Sequence, residues 1–367
     1  VEVASSDHVL CHGEQESVIL VQTEANQRQS TFPLVHLLVN RSTLLKDMIE
    51  AFSNPRVLIS TLFVKVKDTN GKNEAGEGRG VLREVLTDFW SQFYQSLAVG
   101  ASSKVPVIRH DYQKEQWKAI ARILLYGYCT EGIFPLSLSP IFISSCIHGE
   151  DSITQEILLE AFKMYVSEDE KETITNCLES HSNLSSDEVM EFLSSYKCYR
   201  SPSKENIHEI ICQLAHQELI QRPRYVSNCW SPILQSLKSV NRFHNATDVQ
   251  AFYDEIKPTP KKVVKMLKAS PKNDIERNIY DHLKRFIKSL GTNVAAFLQF
   301  TTGSSVILDN MQLEVSFTEL RGFARRPVVH TCGPLLELPC TYQCYNELVE
   351  EFSTILQHKS SWTFDII

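Results

Sequence analysis

The sequence predicts an α+β chain of two lobes, a large and mostly helical N-terminal lobe followed by a smaller mixed one, joined by a hinge. Three observations carry this expectation. Apolar residues recur at helical spacing in long segments up to about residue 268. From about residue 275 the character changes, and residues 311–317 (MQLEVSF) alternate as a strand does. Between the two regions, residues 269–274 are polar and contain Pro271, which suits a hinge. The expected organisation is a linker or the end of an upstream region over 1–30, a first lobe over 31–272 and a second over 273–367.

The first lobe begins with apolar residues in 33–52, and 42–52 have helical spacing with Ser42 as N-cap. Asn54-Pro55 ends that helix. Residues 57–66 (VLISTLFVKV) are β-branched and predict a strand. Residues 68–80 hold Gly71, Gly76, Gly78 and Gly80 but lack the G-K-[ST] or G-x-G-x-x-G pattern that a phosphate-cradling loop needs. Strong helices are expected over 81–97 and 112–128, with Trp90 and Trp117 in the core. Pro135 and Pro140 bracket a short apolar connection. Residues 153–166 and 187–196 are expected to be helical, separated by an acidic, Ser-rich stretch. Helices follow over 206–219, 230–237, 247–256 and 261–268. In the second lobe, 275–290 predict a helix, 296–302 an apolar segment ended by Gly303, 328–338 strand and loop, and 345–357 a helix. There is no internal repeat.

Composition narrows the function classes. Hydrophobic residues at 43% and charged residues at 22% describe an ordinary globular chain. A net charge of -7 argues against a general nucleic-acid binder, because phosphate neutralisation needs a basic surface. Lys261, Lys262 and Lys265 read as a solvated helix face. No apolar run approaches the roughly 18 residues that span a bilayer, and 1–29 lack the basic and apolar regions of a signal peptide. The N-x-[ST] triplets at Asn40, Asn183 and Asn245 are then chance matches in a cytoplasmic or nuclear protein. The ten cysteines include no C-x-x-C pair, so neither a metal site nor a cofactor is expected, and they read as reduced thiols.

One segment has chemical character. In Pro327-Val328-Val329-His330-Thr331-Cys332-Gly333-Pro334, the cysteine should sit where a strand ends in a turn, which exposes side chains. A reactive cysteine acts as its thiolate, which nearby cations favour, and Arg325, Arg326 and His330 are close in sequence. From residues alone three readings stay open for Cys332: a small buried hydrophobe, a nucleophile, or part of a Cys/His/Asn triad with distant partners.

Several separated segments add to this. Gly80-Val81-Leu82-Arg83-Glu84-Val85-Leu86 and 117–127 (WKAIARILLYG), then 297–305 (FLQFTTGSS), then His330-Thr331-Cys332 with Leu336-Glu337-Leu338-Pro339 and Tyr342 resemble, in order, blocks of the HECT domain of ubiquitin ligases. The resemblance covers roughly 52–367. It implies a bilobal HECT-like fold in which Cys332 accepts ubiquitin as a thioester from a ubiquitin-conjugating enzyme and passes it to a substrate lysine. Under that reading His330 orients the loop or the thiolate, or serves a structural hydrogen bond. Thr331 hydrogen-bonds near the thioester or shapes the turn. Phe364, fourth from the end, matches a family position needed for transfer, and Asp365 orients the incoming lysine or is a solvated carboxylate. Cys340 and Cys344 are structural. The partners implied are ubiquitin, a conjugating enzyme and a protein substrate. Two departures stand out: Gly333-Pro334 follow the cysteine where the family usually has Phe-Asn, and 144–196 look helical where many members have a strand-containing subdomain. They motivate an alternative, a catalytically inactive HECT-like interaction module; a cysteine hydrolase is the other competing class.

Overall fold

The computed structural model describes residues 15, 17–21, 32–74, 76, 78–180, 184–358 and 362, and it has an α+β fold in which helices predominate. The apolar residues gather into two clusters. The first takes its residues from Leu20 through Ile256, with Val306 and Leu308 returning to it; the second runs from Val263 to Phe352.

Within 1–30, the stretch expected to be a linker or the end of an upstream region, residues 17–21 are helical, and Leu20 and Val21 are buried in the first cluster. Strand β1 (Leu34–Asn40) was not expected. It pairs in parallel with β2 (Thr61–Lys67), Leu34 opposite Thr61 and Asn40 opposite Lys67. The strand expected from residue 57 starts only at Thr61, because Asn54 and Pro55 set a 3₁₀ turn over Pro55–Ile59, with the Asn54 side chain accepting from Arg56 N–H. Along β2, Leu62, Val64 and Val66 point inward, the period of a half-buried strand. Helix α1 (Leu44–Ala51) has Thr43, not Ser42, at its N-cap, while the Ser42 hydroxyl is spent on Asn40 Oδ1.

Helices α2 (Arg79–Ser96) and α3 (Lys114–Glu131) lie close to the predicted bounds. Gln113 and Gln116 close a capping box at the start of α3, and Gly132 ends it in the left-handed region at φ 70°. Trp90 and Trp117 are buried, as expected. A two-residue antiparallel pair, β3 (Ala98–Val99) with β4 (Val105–Pro106), lies between these helices. Pro135 and Pro140 bracket a short connection, as expected, and Pro140 also opens helix α4 (Pro140–His148), where its missing N–H costs nothing. Then come α5 (Gln155–Tyr165), α6 (Glu168–Glu179) and α7 (Asp187–Ser195). The acidic stretch expected to be a connection is the helix α6, fixed by a capping box between Ser167 and Glu170. Helix α8 (Ile207–His216) runs into a π turn, and α9 (Arg224–Leu234) begins six residues before the expected start and carries Pro232 inside. Helix α10 (Ala246–Ile256) completes the first cluster.

The second cluster follows immediately with α11 (Pro260–Met266) and β5 (Leu267–Ala269). Ala269, at the head of the stretch expected to act as a hinge, is thus held in a strand; the passage between clusters runs through residues 257–259. Helices α12 (Asp274–Ser289) and α13 (Val294–Thr302), strands β6 (Leu313–Thr318), β7 (Val328–His330) and β8 (Leu335–Pro339), and helix α14 (Tyr345–Gln357) complete it. The sheet order is β5-β6-β8-β7, parallel except for the β7–β8 hairpin. Among the described residues no helix is long and apolar enough to cross a membrane.

Candidate functional site

Strands β7 and β8 form a short hairpin, His330 opposite Leu335, and the intervening residues 331–334 are a turn. Cys332 lies in that turn and is exposed, as its place after a strand predicts, whereas Cys129, Cys146, Cys177, Cys212 and Cys229 are buried. Thr331 beside it is 7% exposed. What buries Thr331 is helix α2, arriving from the first cluster. Its Arg83 Nη2 donates to Thr331 O and lies 3.5 Å from Cys332 O.

This contact requires glycine. A Cβ on Gly80 would stand 2.3 Å from Thr331 Oγ1, 2.8 Å from Thr331 C and 2.9 Å from Cys332 N. Gly78, at φ 94°, starts the helix with room for a Cβ only 3.6 Å from Cys332 Sγ. On the same helix, Thr87 Oγ1 donates to Gly303 O at 2.9 Å, and Asp88 Oδ1 accepts from Gln299 Nε2 at 2.9 Å. Gly303 ends α13 in the left-handed region at φ 77°, and a Cβ there would approach Gly80 O to 3.0 Å. The blocks 80–86, 297–305 and 330–332, far apart in sequence, therefore meet along one face of α2.

Cys332 borders a cavity of about 310 Å³ whose apolar lining comes mostly from the first cluster. Its charged lining is Arg79, Arg83, Glu131, Arg242 and Asp309. Arg79 Nε donates to Glu131 Oε1 at 2.9 Å, and Arg242 pairs with Asp309 at 2.6 Å and Glu255 at 2.9 Å. Arg83 stands 3.9 Å from Glu131 Oε2. Burial lowers the Arg83 guanidinium below its ordinary value, while the charges of Glu131 and the Cys332 thiolate oppose that shift. An arginine so placed keeps its charge all the same.

The expected residues divide as follows. His330 is half-buried and its Nε2 lies 3.1 Å from Glu337 Oε1 across the hairpin, a side-chain partner rather than the backbone one that its structural reading expects. The Thr331 side chain is buried in the turn, and its carbonyl accepts from Arg83. Phe364 and Asp365 lie outside the described residues. Arg325 is not the cation beside the thiol: it pairs with Glu347 at 2.9 Å and stacks on the Tyr342 ring at 4.8 Å, and with Arg326 it lines a separate cavity of about 550 Å³. The cation at the turn is Arg83, which sequence reasoning placed only inside a helix block. Cys340 is half-buried, and burial raises its thiol. Among the described residues no group of three or more His, Cys, Asp or Glu side chains is arranged to hold a metal ion.

A scan of the sequence against models of known families finds no match, and a search of curated proteins finds no significant match.

Proposed function

We propose that this chain is a HECT-like catalytic domain, a ubiquitin-protein ligase that carries ubiquitin as a thioester on Cys332. The observation that carries the reading is the placement of Cys332: an exposed thiol on a hairpin turn, at the edge of a cavity lined mostly by the first cluster, with a buried arginine on the turn's backbone. Acyl transfer to cysteine needs this combination of access and cationic surroundings. The Cys332 thiolate attacks the carbonyl carbon of the thioester that a conjugating enzyme presents. A C–S bond forms, and the conjugating enzyme's thiolate leaves. One thioester replaces another, so the exchange is nearly isoenergetic and the protein's task is positioning. A substrate lysine amine then attacks the same carbonyl, the Cys332 sulfur leaves, and the amine releases its proton as the amide forms. Neither step consumes a nucleotide or a metal ion on this domain.

The test is a charging assay with activating enzyme, ATP, labelled ubiquitin and a panel of conjugating enzymes, read on non-reducing gels. A thiol-sensitive adduct that is lost in Cys332→Ala is the expected result. Folded protein that takes no ubiquitin from any conjugating enzyme would reject the ligase and leave the inactive interaction module, which Gly333-Pro334 after the thiol favours. Hydrolysis of a reporter ester without a conjugating enzyme would point to a hydrolase.

A further inference from the structure

Cys332 takes its backbone from the second cluster, but the charge nearest its turn comes from the first. We propose that Arg83 is a positioning residue that activates the Cys332 thiol, so that reactivity depends on helix α2 lying against the turn. This rests on the reading of Cys332 as the reacting thiol.

The geometry singles out Arg83 among the cations of the cavity. Arg79 has a largely exposed side chain and spends Nε on Glu131 and Nη2 on Thr130 O. Arg242 is held by Asp309 and Glu255. Arg83 is 6% exposed, and its Nη2 is directed at the carbonyls of Thr331 and Cys332. It therefore acts on the thiol in two ways. It fixes the backbone on both sides of the Thr331–Cys332 bond, and its guanidinium is near enough to the thiol for their charges to interact. Glu131, whose side chain is 5% exposed, offsets part of that charge. From the hairpin, His330 Nε2 and Glu337 Oε1 face each other at 3.1 Å.

The experiment measures alkylation of the native chain by iodoacetamide near neutral pH, resolved by peptide mass spectrometry. Cys344, exposed on the same cluster, is the internal reference, and buried Cys146 must stay unlabelled in any folded variant. Arg83→Gln, which keeps a donor and loses the charge, is expected to slow Cys332 about three- to tenfold relative to Cys344. Arg83→Lys should recover most of the rate. Glu131→Gln still accepts from Arg79 but no longer opposes Arg83, so it should speed Cys332 about twofold. A purely structural arginine predicts no such acceleration, and Glu131→Gln also serves if Arg83→Gln fails to keep Cys146 protected. An unchanged rate in folded Arg83→Gln, an equal loss in Lys and Gln, or a slower Glu131→Gln overturns the proposal. Alkylation needs no ubiquitin, so a chain that shows this pattern but fails the charging assay sinks the ligase reading and leaves this inference standing.

Discussion

Gly80→Ala is the sharpest probe of how the two clusters meet. The new methyl carbon would lie 2.3 Å from Thr331 Oγ1, 2.8 Å from Thr331 C and 2.9 Å from Cys332 N. Rotation of the Thr331 side chain relieves the first contact only; the other two are backbone, so the turn itself must withdraw. Overpacking of this kind costs about 1–3 kcal/mol, and replacing a helical glycine by alanine returns up to about 1 kcal/mol. A net loss of about 1–2 kcal/mol is expected. The loss is bounded by the strength of the contact, since the turn can let go together with the Arg83–Thr331, Thr87–Gly303 and Asp88–Gln299 hydrogen bonds. Urea unfolding reads the loss, and hydrogen exchange of peptide 328–339 reads where it falls. Gly333→Ala, in the same turn, is the control, because a Cβ there meets nothing within 4 Å. Adding Thr331→Ala to Gly80→Ala should restore only part of the stability. A Gly80→Ala chain with wild-type midpoint and wild-type exchange over 328–339 would refute the close approach.

Two further outcomes follow from single side chains. Burial pushes the Glu84 carboxyl up to about 7 from an ordinary 4.5, against the opposing charge of Arg41. The folded chain thus keeps a proton that the unfolded chain loses first; the contribution is complete below the ordinary value and fades as pH rises through the folded one. Glu84→Gln should therefore flatten the fall in stability between about pH 4.5 and about pH 7, and urea midpoints that track wild type across that range would count against it. Lys262 Nζ donates to the carbonyls of Asp254, Glu255 and Lys257 at 2.5, 2.9 and 2.8 Å, closing the end of α10 just before the chain leaves the first cluster. Lys262→Met, which keeps the aliphatic stem, should lower the unfolding free energy by about 1–2 kcal/mol, and an unaltered thermal midpoint would exclude that cap.

What the sequence disclosed was whatever its local period could carry. Helices α2, α3 and α14 announced themselves by one apolar face each, and the turn around Cys332 by a β-branched run meeting Gly333-Pro334. Strand β1 stayed hidden because its partner lies 27 residues away in register, Leu34 with Thr61. Moreover Leu34, Val35 and Leu38 are exposed, so no alternation marks the strand. Helix α6 was masked by charge: of its twelve residues only Thr173, Ile174 and Cys177 are buried. Its Ser167–Glu170 capping box was nevertheless present in the sequence as a readable signal.

Arg83 marks the limit of such reading. Between Leu82 and Glu84 it looks like any charged residue on a helix, yet it reaches a carbonyl 248 positions further on. Nothing within one turn of α2 encodes that contact. The traces of it are distributed: a glycine at 80 where a helix would favour alanine, and a glycine at 303 whose carbonyl Thr87 finds. Each alone has a local explanation, helix entry for Gly80 and a left-handed cap for Gly303. Together they allow the backbones of two clusters to touch beside a thiol. Bulk at Gly80 should therefore act on the Cys332 turn before it acts on either core, because the atoms a new Cβ would meet there belong to Thr331 and Cys332, whereas bulk at Gly303 would also strain the left-handed cap of α13.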